Sequence, residues 1–383
     1  MTAPAMFEIL VVAAPGLESA LAEEAREAGF AVTGTMTGGV LLKGSWPDVW
    51  RANLVLRGAA RVLVRIGQFY ASHLAQLDKR SRAFPWKNFL RADVPVHVEV
   101  TCRKSRIYHS KAAAQRIATA ITEELGASLQ ESAEVVVKAR IENDLVTLSI
   151  DTSGELLHKR GSKQAMAKAP MRESMAALFL RMCGYNGNEP VLDPMCGSGT
   201  FVIEAAEWAA GLTPGRNREF AFEKLATFAS GDWLAMKQQS PRSTPPIIFC
   251  GSDRDAGAVA ASLANAERSG VSQVTRFERK SVSDIAPPSD PAGLVTGLAT
   301  GLVICNPPYG TRIGEEDKLV SLYAAFGRAM RERFTGWRVG LITTSDRLAR
   351  ATELPFGKPS APVLHGGLRV RLYATRPLPV RSP

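Results

Sequence analysis

The 383-residue sequence lacks the features of membrane and exported proteins. No run of about eighteen or more uncharged apolar residues occurs, so no membrane-spanning helix is predicted. The N-terminus has no basic region and places Glu8 inside its apolar stretch, which argues against a signal peptide. We therefore expect a cytoplasmic protein.

Cysteine and histidine are scarce, with five residues of each. The cysteines are odd in number and show no CxxC spacing, and the histidines form no HExxH or CxxH pair. Free thiols in a reducing compartment are expected. No structural metal site is predicted.

Positive charge is concentrated in the middle of the chain. The net charge is +10, and residues 51–180 hold 21 Lys and Arg against 12 Asp and Glu. A basic surface of this size is typical of proteins that contact phosphate groups. The alternative at this point is a general solubility feature.

The hydrophobic pattern divides the chain into four segments. Residues 1–65 show a strand-helix-strand-strand order and predict a small α+β unit. Residues 66–155 contain strands, a turn at Asn143-Asp144 and a helix that is predicted to run from an N-cap at Ser110 to Leu125. Residues 156–169 form a basic linker without a clear apolar period. Residues 170–383 alternate apolar strands with helices, which predicts a parallel sheet covered on both faces, with an antiparallel edge after it.

A basic cluster with aromatic neighbours lies at the start of the helix that ends at Leu125. Aromatic and basic side chains together favour RNA over a duplex DNA groove. A solvated helix start explains the charges equally well at this stage. The cluster surrounds Tyr108 and His109 and consists of Arg103, Lys104, Arg106, Lys111 and Arg116.

Residues 211–246 interrupt the alternation of strands and helices. The segment is long and contains prolines and aromatic residues, so we expect an insertion over the functional site. Its aromatic side chains are expected to cover the sheet, or to help hold a target base. The aromatic residues are Phe220, Phe222 and Trp233, and Arg216 and Arg218 would act with them in holding the base.

A glycine-bearing turn in "PVLDPMCGSGTFVIEAA" follows a predicted strand and precedes a helix. Gly197 and Gly199 permit close approach of the backbone to a ligand, and the N–H groups of the helix point toward it. The turn lacks the full GxGxxG spacing and the lysine of a P-loop, which disfavours dinucleotide and nucleoside-triphosphate sites. Asp253 ends the next strand, where an acid can accept hydrogen bonds from ribose hydroxyls, although Asp253 or Asp255 can also cap the following helix.

The stretch "VICNPPYGTR" ends the fourth strand of the predicted sheet, so its tip is expected beside the first strand. Pro307 and Pro308 stop the strand because they lack N–H groups. The side-chain carbonyl of Asn306 and the backbone carbonyl beside it can accept both hydrogens of one amino group, and Tyr309 can stack on the attached ring. Such hydrogen bonds localise the lone pair of a conjugated amine without a catalytic base.

These motifs together resemble those of class I S-adenosylmethionine-dependent amino-methyltransferases. More narrowly, the chain resembles the THUMP-domain-containing RNA guanine-N2 methyltransferases, in particular the N-terminal half of the bacterial enzymes that act on large-subunit (23S) rRNA. The likeness runs from "GLESALAEEAREAG" through "LHKRG" and "APMRESMAA" to "NPPYG". It implies an α/β fold with a ferredoxin-like unit at 1–65, a THUMP RNA-binding domain at 66–155 and a Rossmann-like methyltransferase domain at 170–383.

The resemblance also implies site residues, with S-adenosylmethionine as cofactor and RNA as partner. Asn306 and the Pro307 carbonyl would bind the guanine N2 amine, Pro308 belongs to the same catalytic tetrapeptide, and Tyr309 would stack on the base. Pro170, Met171 and Arg172 match a motif that closes the pocket. The residues implied for the cofactor are Asp193, Pro194, Met195, Cys196, Gly197, Ser198, Gly199, Thr200, Asp253, Arg254, Ser281, Asp284 and Asn306.

One departure concerns the adenine contact. Relatives usually place an acid where this chain has Ser281, so either Ser281 or Asp284 is expected to take that role. Three alternatives to the 23S rRNA function remain open: a tRNA guanine-N2 methyltransferase, an adenine-N6 methyltransferase and a non-catalytic RNA-binding assembly factor. The sequence leaves the modified nucleotide and the oligomeric state open.

Overall fold

The computed structural model describes residues 6–161, 171–238, 244–245, 247–288, 298–310 and 315–379, with only the backbone at 315, 316 and 318. The strands are β1 Phe7–Val12, β2 Ala31–Met36, β3 Gly39–Gly44, β4 Arg61–Tyr70, β5 Val96–Arg103, β6 Val135–Glu142, β7 Leu145–Asp151, β8 Val191–Asp193, β9 Phe249–Asp253, β10 Thr275–Arg279, β11 Leu302–Cys305, β12 Arg338–Thr343, β13 Val363–His365 and β14 Leu368–Ala374. The helices are α1 Glu18–Glu27, α2 Trp46–Val55, α3 Leu74–Arg82, α4 Ser110–Leu125, α5 Glu173–Met182, α6 Thr200–Ala209, α7 Ser230–Gln238, α8 Ala256–Ser269, α9 Glu315–Arg333 and α10 Asp346–Ala351.

Two compact units divide the chain. The first comprises Met1–Ala13, Ala22–Leu157 and Gly215–Gln239. The second comprises Ala14–Leu21, His158–Pro214 and Ser240–Pro383. None of the helices in the described residues is long and apolar enough to cross a membrane.

The first unit is built on one seven-stranded sheet with the order β2-β3-β1-β4-β7-β6-β5. Its strand pairs are antiparallel except for β5 and β6, which run parallel. Strand β4 pairs with β1 through Arg61–Arg65 and with β7 through Leu63–Tyr70. The predicted ferredoxin-like and THUMP units therefore share this strand, which crosses the predicted boundary between residues 65 and 66.

Helix α4 confirms most of the sequence prediction for the basic region. It ends at Leu125 with Gly126 in the left-handed conformation (φ 84°), and the predicted turn at Asn143 and Asp144 joins β6 to β7. The prediction that Ser110 caps the helix is wrong. His109 is the N-cap because its backbone is extended and its carbonyl accepts the hydrogen bond from Ala113 N at 3.1 Å. Ser110 is already the first helical residue.

The predicted insertion packs within the first unit. Phe220, Phe222 and Trp233 are buried, and Phe222 stacks on the Trp50 ring of α2 with 6.1 Å between centroids. Backbone hydrogen bonds join Gly215 N to Leu54 O at 3.0 Å and Phe222 N to Thr152 O at 3.1 Å. Residues 215–238 therefore belong to the first unit, and their placement over the functional site stays a prediction. Their aromatic side chains do form a hydrophobic cover, but on the first unit.

The second unit contains a seven-stranded sheet with the order β10-β9-β8-β11-β12-β14-β13. The five strands from β10 to β12 are parallel, and β14 adds antiparallel to β12 and to β13. This confirms the predicted parallel sheet with an antiparallel edge. Strand β11 (Leu302–Cys305) is fully buried, as expected for a strand covered on both faces.

Side chains on both faces of this second sheet are packed against helices. On one face, Val303 and Leu341 belong to a core cluster with Phe326 and Met330 of α9 and with residues of α10. Cys183, which follows the last residue of α5, packs against Gly340 of β12. A Cβ built on Gly340 would lie 2.6 Å from the Cys183 sulfur. Since parallel strands end at the same edge of a sheet, the tips of β8, β9, β10 and β11 come together.

Residues 162–170 lie outside the described residues, so most of the predicted linker and the predicted pocket residue Pro170 are not placed. Met171 is buried, and Arg172 is exposed at the start of α5. Arg160, also assigned to the linker, is buried in the second unit, where its guanidinium lies 3.0 Å from the Glu204 carboxylate.

Candidate functional site

The turn after β8 lies at the carboxyl edge of the second sheet. Cys196 N donates to Ser252 O of β9 at 2.9 Å, and Gly199 N donates to Cys196 O at 2.8 Å. Gly197 and Gly199 have positive φ values of 56° and 81°, which glycine adopts without the steric penalty of a Cβ. The backbone thus folds into a tight turn whose last residue is the N-cap of α6.

Side chains of α8 hold this turn from the protein side. Ser262 Oγ donates to Gly197 O at 2.9 Å, and Asn265 Nδ2 donates to Ser198 O at 3.0 Å. Both are buried polar residues on a helix that packs against the sheet. Sequence reasoning missed them, although their polar character at i and i+3 of a largely apolar helix face was a usable signal.

Replacing Gly199 by alanine is expected to lower the free energy of unfolding more than the same change at Gly270. Both glycines have positive φ, which costs roughly 1–2 kcal/mol for other residues. At Gly199 an added Cβ would also lie 3.0 Å from Ser262 Oγ and 3.1 Å from the Phe277 ring, whereas at Gly270 it would meet nothing within 4 Å. Denaturant unfolding of the two variants measures the difference, and equal losses would contradict the crowded packing of the turn.

Asp193, the last residue of β8, has a buried carboxyl group with a side chain only 2% exposed. Its pKa is raised to about 8, chiefly by burial; the hydrogen bond from Met195 N to Oδ1 at 3.0 Å opposes the shift, and the nearby Asp253 carboxylate adds to it. A carboxyl group buried in this way favours a bound cation, because a positive charge beside it stabilises the ionised form.

Asp253 links the tips of β8 and β9. Its Oδ2 accepts from Gly197 N at 3.1 Å, and its Oδ1 accepts from Asp255 N at 3.0 Å. The cap of α8 is Asp255, which accepts from Gly257 N at 2.8 Å. Asp253 is therefore not the helix cap and remains partly exposed at the edge. Arg254 beside it is exposed.

The turn after β10 brings Ser281 and Asp284 together. Asp284 N donates to Ser281 O at 3.0 Å, and Ser283 Oγ lies 3.0 Å from Ser281 Oγ and 3.1 Å from Asp284 Oδ1. Lys280 N donates to Asp253 O at 3.1 Å, which ties this turn to the tip of β9. Both residues expected for the adenine contact thus lie exposed in one turn at the same edge.

Asn306 follows β11 directly; β11 lies beside β8, as the sequence predicts, and its other neighbour is β12. Its Oδ1 is buried and has no hydrogen-bond partner among the residues that the structure describes. A buried amide oxygen without a partner costs about 1–3 kcal/mol, so such atoms are rare in folded proteins. This oxygen is therefore an available hydrogen-bond acceptor at the carboxyl edge of the sheet.

The two prolines after Asn306 differ in their carbonyl groups. Pro308 O accepts from Tyr323 Oη of α9 at 3.1 Å, and that hydroxyl also lies 3.3 Å from Thr343 Oγ1. In the described part of the chain, no hydrogen bond reaches Pro307 O. Tyr323 thus occupies the carbonyl of Pro308 and not that of Pro307. Sequence reasoning did not identify Tyr323 as the residue that makes this distinction.

Tyr309 is half-buried, and burial raises its pKa above the ordinary value, so it is a neutral phenol at physiological pH. Part of its ring packs on the core cluster of the second unit, together with Met195 of the glycine turn. Stacking of this ring on a base remains a prediction. Residues 311–314, which follow the tetrapeptide, lie outside the described residues.

The remaining residues expected at the cofactor are placed around the same turn. Pro194 and Ser198 belong to it, and Thr200 begins α6. Cys196 is buried, and burial raises the pKa of its thiol, so it is not a nucleophile. All five cysteines are free, as predicted, and no cluster of metal-ligating side chains occurs in the residues that the structure describes.

The residues expected to contact RNA lie in the first unit. Arg103, Lys104 and Arg106 surround the turn between β6 and β7, where Lys104 has a positive φ of 47°. Lys111 and Arg116 lie on α4 and are exposed. Arg103, Lys104 and Arg106 therefore lie together at the turn. Lys111 and Arg116 extend the basic surface along α4.

Residues 160–364, more than half of the chain, match the family described as "RMKL-like, methyltransferase domain". The chain belongs to this family. Residues 8–63 match the RlmL ferredoxin-like domain, and residues 71–151 match the THUMP domain. These matches confirm the predicted family, the predicted fold of each part and S-adenosylmethionine as the cofactor class.

Similar proteins carry related names. The chain is 33% identical to the "Ribosomal RNA large subunit methyltransferase K/L" of Syntrophotalea carbinolica over 91% of this chain and 50% of the relative. It is 29% identical to the "Putative RNA methyltransferase slr0064" of Synechocystis sp., with 93% of each chain covered. Among solved structures, SMU.472, "a putative methyltransferase complexed with SAH", has a TM-score of 0.87 at 26% identity, with 98% of this chain and 99% of that chain covered. This chain spans about half the length of the K/L relatives that it matches.

Proposed function

We propose that this protein transfers a methyl group from S-adenosylmethionine to the exocyclic N2 amine of a guanosine in 23S ribosomal RNA. The observation that carries the proposal is the pair of unoccupied acceptors after β11, the buried Asn306 Oδ1 and the Pro307 carbonyl. Two acceptors side by side match the two hydrogens of one amino group. The names of the K/L relatives support ribosomal RNA as the substrate.

The residues at the carboxyl edge fit the cofactor. The buried Asp193 carboxyl group suits the cationic ammonium of its methionine part, and the glycine turn permits close approach of the backbone. Asp253 is positioned for the ribose hydroxyls, with Arg254 beside the adenine. We propose Asp284 for the adenine amine, because its carboxylate is a stronger acceptor than the Ser281 hydroxyl in the same turn.

In the proposed mechanism, Asn306 and Pro307 position the target amine. When bound, the cofactor would supply a methyl group on a reactive sulfonium: as the N–C bond formed the C–S bond would break, S-adenosylhomocysteine would leave, and one amine proton would be released to solvent. Asn306 Oδ1 and Pro307 O accept the two amine hydrogens, which localises the nitrogen lone pair and directs it out of the base plane. Tyr309 stacks on the base and keeps its plane fixed. Positioning of this kind can supply on the order of 7–11 kcal/mol of a reaction barrier.

The target guanosine has to leave its stack to reach this edge, at a cost of a few kcal/mol. The basic THUMP domain is proposed to bind the surrounding RNA through Arg103, Lys104, Arg106, Lys111 and Arg116. We propose the domain division stated above, residues 1–65, 66–155 and 170–383, and a cytoplasmic location, where ribosomal RNA is available.

Transfer of labelled methyl groups tests the proposed substrate. Ribosomal RNA, bulk tRNA and genomic DNA are isolated from cells in which the gene for this chain is deleted, so that the target is unmodified. Purified protein and labelled S-adenosylmethionine are expected to label 23S rRNA. Label in tRNA alone would move the substrate to tRNA, and label in DNA alone would overturn RNA as the substrate. Binding of the cofactor without transfer to any of the three would favour the assembly-factor alternative.

A further inference from the structure

Two exposed tyrosines flank the turn between β6 and β7 in the first unit. Tyr70 ends β4 with 67% of its surface exposed, and Tyr108 precedes α4 with 72% exposed. Across the described residues they are the only aromatic side chains among the exposed large hydrophobic ones. Exposed aromatic rings on one surface are a feature of interaction sites. We call this surface the hairpin surface; it comprises Tyr70, Arg103, Arg106, Tyr108, His109 and Asp144.

The hairpin surface is held in place by hydrogen bonds that converge on Asp144. Arg106 N donates to Asp144 Oδ1 at 2.8 Å, Asp144 N donates to Ser105 Oγ at 3.1 Å, and Ala71 N donates to Asp144 O at 2.9 Å. Ile107 is buried between the anchored Arg106 and the exposed Tyr108. Tyr108 is therefore exposed on a fixed loop, which lowers the entropic cost of binding a ligand there.

Tyr108 and His109 form an aromatic pair. Their ring centroids are 4.1 Å apart, and the rings are tilted by 43°. The His109 side chain makes no hydrogen bond to cap α4, although His109 occupies the capping position. The pair presents flat, partly apolar area to solvent instead of closing the end of the helix.

The charges around the pair are positive and accessible. Arg103 lies 3.8 Å from Glu142 and Arg106 lies 3.5 Å from Asp144, with guanidinium-bearing side chains that are 69% and 76% exposed. Exposed ion pairs of this kind contribute only about 0–1 kcal/mol, so an incoming phosphate can displace the carboxylate partner. Lys104 adds a further exposed positive charge beside them.

We propose that the hairpin surface binds an unpaired stretch of RNA, with a base stacked on Tyr108 and its flanking phosphates held by Arg103 and Arg106. A base inside a helix has both faces covered by its neighbours, whereas an unpaired base offers a free face to an aromatic ring. The surface is therefore selective for single-stranded segments, and a double helix binds there only through its phosphates. This inference rests on the proposed function for the assignment of RNA as the substrate.

Binding of two labelled RNAs to the full chain tests this inference without turnover or cofactor. One probe is a single-stranded oligoribonucleotide of roughly ten nucleotides, and the other is the same sequence paired in a hairpin stem. Fluorescence anisotropy at several salt concentrations compares Tyr108→Ala, Tyr108→Phe and Arg106→Gln with the unaltered chain. Leu364→Ala, a change at an exposed apolar residue of the second unit, is the matched control.

Tyr108→Ala is expected to weaken binding of the single strand by about fivefold or more, with an unchanged salt slope and unchanged binding of the stem. Tyr108→Phe is expected to bind within about twofold of the unaltered chain because the ring is retained. Arg106→Gln is expected to reduce the salt slope for both probes. Binding of the single strand by Tyr108→Ala within about twofold of normal, or an equal loss for both probes, would overturn the proposal.

The two proposals can fail separately. If Tyr108→Ala binds normally while the unaltered chain methylates RNA, the stacking site is wrong and the proposed function stands. If the stacking result holds but no RNA is methylated, the proposed function is wrong and the hairpin surface remains an RNA-binding site.

Discussion

The Asn306→Ala variant is expected to lose methyl transfer by about 100-fold or more while its cofactor affinity stays close to normal. Removal of one positioned hydrogen-bonding group from an active site typically costs about 10²–10³ in rate. Among the described residues Asn306 Oδ1 has no donor, so in the proposed mechanism the substitution removes only the contact with the target amine. Single-turnover rates with RNA and calorimetry with S-adenosylmethionine measure the two quantities.

The free energy of unfolding is a second quantity to measure for Asn306→Ala. Because the buried oxygen is unpaired in the folded protein, Asn306→Ala is not expected to lower the free energy of unfolding by more than about 1 kcal/mol. Asn188→Ala is the matched control, since Asn188 is an exposed asparagine that precedes β8 at the opposite edge of the sheet. A variant that still methylates at a near-normal rate would remove Asn306 from the mechanism.

The Asp193→Asn variant is expected to bind S-adenosylmethionine about 30-fold or more weakly. Truncating one partner of a buried charge pair typically costs about 2–5 kcal/mol, and the partner proposed for Asp193 is the ammonium group of the cofactor. The isosteric change retains an oxygen to accept from Met195 N, so the local fold is preserved. Calorimetric titration measures the loss, and an affinity within a few-fold of normal would show that the ammonium binds elsewhere.

The same variant is expected to change how stability depends on pH. The pKa of Asp193 is about 8 in the folded protein and 3.8 as the ordinary value, so the folded chain retains a proton that the unfolded chain releases. This contribution to stability is fully present below the unfolded pKa and is lost as pH rises from about 4 to about 8. Asp193→Asn removes that loss, so the cofactor-free variant is expected to be more stable than the unaltered chain near pH 8.

Denaturant unfolding of the cofactor-free protein at several pH values checks this dependence. Asp317→Asn, a change at an exposed carboxylate of α9, serves as the control. If the free energies of unfolding of the unaltered chain and of Asp193→Asn change with pH in parallel, Asp193 is ionised in the folded protein. Its raised pKa is then no reason for it to bind a cation.

The sequence was informative where local pattern decides structure. The apolar strand before Asn306 and the prolines after it located the strand end, and the rule for parallel sheets placed that end beside the glycine turn. Asn143-Asp144 predicted its turn because both residues tolerate positive φ, and they adopt 51° and 63°. The parallel sheet followed from the fully apolar strands alone.

Long-range packing could not be predicted from local sequence patterns. The aromatic insertion follows α6 in the chain but packs on Trp50, and no periodicity in the segment indicates which unit it joins. The hydrogen bond from Tyr323 of α9 to Pro308 O, which distinguishes the two proline carbonyls, joins residues 15 positions apart, and the helical pattern of α9 does not show which carbonyl the hydroxyl reaches. The exposed Tyr108 was visible in the sequence, but its fixed loop depends on Asp144, 36 residues later.

The chemical identity of the methylated nucleoside tests directly whether this protein methylates guanine N2. RNA labelled by the purified protein is digested to nucleosides and separated by mass spectrometry, with the Asn306→Ala protein as the blank. The expected product is N2-methylguanosine from 23S rRNA with the unaltered chain and none with the variant. N6-methyladenosine as the product, or N2-methylguanosine formed equally by both proteins, would contradict this expectation.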